Sequence, residues 1–226
     1  MVKENILKFK ELLPQHVNLV AVSKTQPANA VSEAYQTGHR VFGENKVQEL
    51  VAKYNELPKD IQWHLIGHLQ TNKVKYIAPF ISLIHSVDSL KLLQEINKQA
   101  AKNNRVIDCL LQLYIANEET KFGLSYEEAD LLLSSEEFKQ LKNIRIVGLM
   151  GMATNTTNAA QIRNEFHSLK NFFNMIRSLN LTRGTENVEL KILSMGMSSD
   201  YQIAIEEGSN MIRVGSIIFG ERNYAN

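Results

Sequence analysis

Apolar residues fall in eight short runs along the chain. They are VNLVAVS (residues 17–23), RVFG (40–43), WHLIGHL (63–69), SLIHSV (82–87), VIDCLLQLYI (106–115), IRIVGLMGM (144–152), LKILSMGM (190–197) and MIRVG (211–215). Runs this short and this rich in Val, Ile and Leu predict buried strands. Between them the period changes. Val47, Leu50, Val51 and Tyr54 recur at i, i+3, i+4 and i+7, the apolar stripe of a helix. Ile6, Phe9, Leu12 and Leu13 do the same at the N-terminus and predict an amphipathic helix, not a secretory leader. Pro27 suits the first position of a helix and Gly38 the position past its end. Ser199 and Gln202 have capping-box spacing, and Gly208 can end the helix they would open.

Strands that alternate with helices pair in parallel, with the helices covering the sheet. Eight such units in 226 residues predict an α/β fold, a single (β/α)8 TIM barrel spanning residues 1–226, near the lower size limit of that fold. The rival is an open doubly wound sheet. It is disfavoured because SKTQP, with no glycine fingerprint, follows the first run. No linker or repeat divides the chain.

Charge narrows the function classes. Lys+Arg 25 against Asp+Glu 24 leaves a formal net charge of +1, without the basic excess of a nucleic-acid or anionic-membrane surface. No stretch approaches the roughly 20 apolar residues needed to cross a bilayer. The expectation is a soluble, cytoplasmic protein. The single Cys109, inside IDCLLQLYI, is read as a buried and inert thiol.

Barrel active sites lie at the C-terminal ends of the strands. On that frame Lys24 ends the first strand, Glu44 and Asn45 the second, and Arg213, Gly215 and Ser216 the eighth, while Ser198 and Ser199 follow the seventh. The loops after strands seven and eight are a frequent phosphate site. There a glycine admits close approach of an oxyanion, and serines and helix-start N–H groups supply donors. The expectation puts the Lys24 amine on one side of the mouth and an anion cradle on the other. His64 and His85 are read as hydrogen-bonded interior or rim residues, and Met150 and Met152 as barrel filling. A lysine facing a phosphate cradle suits a ligand that carries both a phosphate and an aldehyde, as pyridoxal 5′-phosphate (PLP) does. Recess of the amine would favour its neutral, nucleophilic form. Arg213 then suits the pyridine nitrogen.

VAVSK, FGENKVQE, WHLIGHLQTNK, HSVD, KFGL, GLMGM, LSMGMSSDYQIAIEEG and RVGSIIFGER together resemble the pyridoxal phosphate homeostasis protein family over nearly the whole chain. The fold implied is similar to the barrel domain of alanine racemase. The resemblance implies that Lys24 carries PLP as a Schiff base, and that Ser199, Gly215 and Ser216 hold its phosphate with Ser198 beside them. It also implies that Arg213 faces the ring nitrogen and that Asn45 lies next to the cofactor. Lys121, within TKFGL, matches a second lysine position that handles PLP transiently. Ser216 stands where threonine is common in the family, and the hydroxyl is kept. The function implied is PLP homeostasis, with PLP-dependent apo-enzymes as recipients. The alternative is a PLP-dependent amino-acid racemase or decarboxylase. Such enzymes add a β-domain that completes a partner's active site, and little chain follows the last motif here. The expectation is therefore a carrier, monomeric rather than an obligate dimer.

Overall fold

The computed structural model describes residues 1–116, 122–183 and 185–220. Eight strands form, one in each apolar run: β1 Asn18–Val22, β2 Val41–Glu44, β3 Gln62–Leu65, β4 Leu83–Val87, β5 Ile107–Leu113, β6 Ile144–Gly151, β7 Val188–Ser194 and β8 Met211–Val214. They pair in parallel and in chain order, and β8 returns to β1 to close the barrel. Helix α1 (Val2–Glu11) precedes β1. After it come α2 (Ala28–Tyr35), α3 (Val47–Glu56), α4 (Val74–Ile77), α5 (Leu90–Lys102), α6 (Tyr126–Ser134), α7 (Glu136–Lys139), α8 (Ala159–Arg183), α9 (Tyr201–Glu206) and α10 (Ser216–Phe219).

Side chains alternate across each strand, so every strand serves two cores. Leu19, Ala21, Phe42, Trp63 and Ile84 face outward and pack with Ile6, Val31, Leu50 and Leu93 of the surrounding helices. Val20, Leu83, Leu110, Val147, Met150 and Met211 face inward and fill the barrel, with Met152 half-buried against them. The next inward positions on β3, β4, β7 and β8 are His64, His85, Ser194 and Arg213, all buried. A polar layer thus lies on an apolar floor. Cys109 is fully buried, and burial pushes its thiol pKa up, away from the reactive thiolate.

Element ends depart from the sequence reading in detail. The third run stops being strand at Leu65 and the seventh at Ser194, leaving IGHL and MGM in the loops above them. Pro27 is the N-cap of α2 rather than its first helical residue. The capping box expected of Ser199 and Gln202 does not form. Asp200 sits at the N-cap of α9, and its carboxylate accepts the Met197 N–H at 2.5 Å. With the cap at Asp200, Ser199 lies one residue outside the helix and Gln202 is its second residue, out of capping-box register, and Ser199 is left exposed.

One joint in the barrel is thin. β7 and β8 share a single registered pair, Ser194 with Met211, whereas β1 and β8 share four. Two backbone bonds flank that pair, Asn210 N–H to Leu193 O at 3.2 Å and Arg213 N–H to Gly196 O at 3.0 Å. Side chains add to them: Ser209 Oγ donates to Met195 O at 2.7 Å, and Asn210 Oδ1 accepts the Leu193 N–H at 2.8 Å. Among the described residues no helix is long and apolar enough to cross a membrane.

Candidate functional site

Lys24, Asn45 and Gly215 each lie two residues beyond an inward position of their strand: Val22, Gly43 and Arg213. The two-residue period therefore carries them to the barrel mouth. There they join Ser198, Ser199, Arg213 and Ser216 around one cleft of about 380 Å³. All seven residues selected from the sequence line it. Val22, Gln26, Ile66, Met152, Met197 and Gly220 complete the lining. Lys121 lies outside the described residues.

The amine and the hydroxyls are not on opposite sides of the mouth. β8 and β1 are hydrogen-bonded neighbours, with Ala21 opposite Val214. Gly215 consequently sits against β1, where an added Cβ would stand 3.0 Å from Val22 O. The first and eighth strands are farthest apart in the chain, and closure of the barrel makes them neighbours.

A supporting residue escaped the sequence reading. A Cβ on Gly67 would stand 2.4 Å from Asn45 O, so only glycine lets the loop after β3 back the Asn45 wall. The signal was a glycine inside the apolar run WHLIGHL, the usual mark of close backbone approach.

Among the described residues, Lys24 and Arg213 are the charged side chains of the lining, and no carboxylate joins them. Lys24 is half-buried. Arg213 is buried, donating from one terminal nitrogen to Ser194 O (2.9 Å) and Ser194 Oγ (2.7 Å), and from the other to Gly151 O (3.1 Å). A guanidinium has five N–H donors, so among the described residues these bonds use three of them. Desolvation lowers its pKa to about 10, which leaves it cationic at neutral pH.

Arg213 anchors a chain that runs into the barrel. Ser194 Oγ lies 3.1 Å from His85 Nδ1, and His85 Nε2 lies 3.0 Å from His64 Nδ1. Arginine can only donate, so the arrangement that satisfies every member aims the Ser194 hydroxyl at His85 Nδ1 and His85 Nε2–H at His64. Burial pushes His64 down to about 3 and His85 well below its ordinary value, so both rings are neutral. They are interior residues with partners, as their place on strands suggested. At the mouth, Ser199 and Ser216 are exposed and Ser198 half-buried.

The sequence profile described as "Alanine racemase, N-terminal domain" matches residues 1–223. A protein of Aquifex aeolicus named "Pyridoxal phosphate homeostasis protein" is 42% identical over 207 residues, covering 91% of this chain and 87% of its own length. The chain belongs to the pyridoxal phosphate homeostasis protein family. Another family member, from Pseudomonas aeruginosa, is 40% identical over 93% of the chain. PipY of Synechococcus elongatus PCC7942, solved with PLP bound, is 36% identical with a TM-score of 0.85, covering 97% of this chain and all of its own. Alanine racemase from Bartonella henselae, at 14% identity and a TM-score of 0.71, shares the barrel fold and is covered over 60% of its length.

Proposed function

We propose that this chain binds PLP in the cleft at the barrel mouth, carries it on Lys24 through a Schiff base, and buffers or delivers it to PLP-dependent apo-enzymes as a monomeric cytoplasmic carrier. The whole chain is proposed to act as one PLP-binding unit. The observation that carries this reading is the composition of one cleft: an amine, a guanidinium and three serine hydroxyls, with no carboxylate among the described residues. PLP presents a dianionic phosphate, an aldehyde and a ring nitrogen. Its phosphomethyl and aldehyde groups occupy adjacent ring carbons, which suits a cradle and a lysine on neighbouring strands. Ser199, Ser216, Ser198 and the backbone at Gly215 are proposed for the phosphate, Arg213 for the ring nitrogen, and Asn45 for the wall beside the ring. The names of the relatives and the PLP-bound PipY structure support the same ligand.

A carrier is preferred over a racemase on chemical grounds. Racemisation needs proton-transfer groups on both faces of the cofactor. Among the described residues of this chain, the lining includes Lys24 but no His, Tyr, Cys, Asp or Glu to serve as the second. An always-cationic Arg213 would leave the ring nitrogen unprotonated, a weaker electron sink than an aspartate-paired pyridinium; racemases tolerate such a pairing, so the missing second proton-transfer group weighs more.

The test is uptake. Purified protein should turn yellow with PLP, and borohydride reduction followed by peptide mapping should place the adduct on Lys24. Lys24→Ala should lose the covalent adduct yet retain weaker, phosphate-dependent binding. Loaded protein should activate an apo-enzyme and show no turnover in racemase and decarboxylase assays. A protein that stays colourless and takes up no PLP would sink the reading.

A further inference from the structure

Lys24 is flanked by two peptide groups that are both held from the same helix, α3. On one side the Ser23 carbonyl accepts from Lys53 Nζ at 2.6 Å. On the other the Thr25 N–H donates to Glu49 Oε1 at 2.6 Å. Glu49 and Lys53 stand one turn apart and pair with each other at 2.8 Å. Lys53 also meets Glu44 Oε1 at 2.7 Å, and the same oxygen accepts from Ser23 Oγ at 2.6 Å. An ammonium has three N–H donors, and here all three find acceptors. None of these α3 or β2 side chains lines the cleft; Glu44 and Ser23 point outward, between the barrel wall and α3, directly behind Lys24 and Asn45.

Two features show that this arrangement works against local preference. Thr25 has φ +64°, a left-handed conformation that is strained for a β-branched residue and persists only when its surroundings impose it. The Lys53–Glu44 pair is almost wholly buried, with side chains 7% and 0% exposed. Glu44 Oε2 has no hydrogen-bond partner among the described residues. Buried pairs of this kind stabilise a fold no better than apolar packing does. Both unfavourable features fall on the two peptide units around one lysine.

We propose that Glu49 and Lys53 are positioning residues that fix the main chain on both sides of Lys24, and so set how its amine approaches the aldehyde carbon of bound PLP. This rests on the PLP reading above and extends it to residues outside the cleft. In the step concerned, the Lys24 nitrogen forms a C=N bond to that carbon, and the carbonyl oxygen leaves as water with the two amine protons. The rate of such a step depends steeply on approach geometry, because a displacement of about 1 Å can cost about a hundredfold. Noncovalent binding of the phosphate and ring should depend on it far less.

The experiment compares two ligands. The rate of Schiff-base formation with PLP is followed by absorbance under single-turnover conditions. Affinity is measured for 4′-deoxypyridoxine 5′-phosphate, which has the phosphate and ring but no aldehyde. Glu49 is partly exposed, with 25% of its side chain accessible, so Glu49→Ala should fold; urea unfolding checks this. Glu49→Ala should slow Schiff-base formation by about tenfold or more while the deoxy analogue binds within about twofold of the parent. Glu49→Gln, whose amide oxygen can still accept from Thr25 N–H, should recover most of the rate. Adding Thr25→Gly to Glu49→Ala should recover part of it, since glycine adopts φ +64° without strain. For the other arm, Lys53→Met with Glu44→Leu replaces the buried pair by apolar residues of similar size and should also slow the step. An unchanged rate in Glu49→Ala, or equal losses for both ligands, would overturn the proposal. If the parent itself binds neither ligand, the PLP reading fails first, an outcome no clamp variant can imitate.

Discussion

Burying Arg213 takes a guanidinium out of water; among the described residues it donates to the neutral acceptors Ser194 O, Ser194 Oγ and Gly151 O, while the Asp200 carboxylate supports its charge. A hydrogen bond to a charged group is among the stronger ones in a folded protein. Ser194→Ala removes one such bond and leaves His85 Nδ1 without its partner. The expected loss is about 2 kcal/mol of unfolding free energy, read from urea denaturation, and a variant as stable as the parent would show that the chain is not held through Ser194. The same geometry guides the choice of substitution at Arg213. Glutamate would face a carboxylate with these carbonyl oxygens, so Arg213→Met is the cleaner probe of contact with the cofactor ring.

Elements, rather than single residues, bring the cleft together, and the loop after β3 is the clearest case. Gly67→Ala would drive a methyl group into Asn45 O, so the loop and the Asn45 wall must separate. The expected outcome is a loss of about 2 kcal/mol in stability together with weakened PLP binding. Gly38→Ala is the control. It lies past α2 at φ +86° with open space around it, so it should cost about 1 kcal/mol and leave PLP titrations unchanged. Equal effects of the two on binding would mean that Gly67 acts through stability alone. The strands, and the placement of Lys24, Asn45 and Gly215 at their C-terminal ends, were legible in the sequence, because short apolar runs are a local property; that Glu44, placed there too, turns away from the cleft was not. The α3 clamp was not. Lys53 follows Leu50 by three positions, a spacing that belongs to the buried stripe, but its charge argued for solvent. What decides the matter is Glu44, nine residues earlier on another element, and no periodicity reports such a pairing. A closed barrel was expected from the eight units, but its consequence that β8 lies directly beside β1 was not carried through to the site, and so the cradle was expected across the mouth from Lys24.

For the molecule as a whole, the buried histidines set an acid limit. Burial lowers His39 to about 4 and His64 to about 3, with His85 also well below the ordinary 6.5. In the unfolded chain each takes up a proton near pH 6.5, while in the folded protein each stays neutral to much lower pH. Below pH 6.5 the unfolded state therefore binds more protons, and stability falls as pH drops from 6.5 toward 4. Between pH 7 and 5.5 each buried histidine should account for about 1 kcal/mol of the decline. Urea midpoints across that range should show a shallower slope for His39→Gln than for the parent, and parallel curves would remove His39 from the explanation.

The sparse ladder between β7 and β8 bears on timing. A closed sheet breathes most readily where its rungs are fewest, and here that place lies between the loop presenting Ser198 and Ser199 and the one presenting Gly215 and Ser216. An anion gripped from both loops would be a clasp across the gap. An empty barrel could then flicker open there unhindered, while a filled one would open only as its guest departs. Letting go of the cofactor and loosening the wall would become a single event, with one rate.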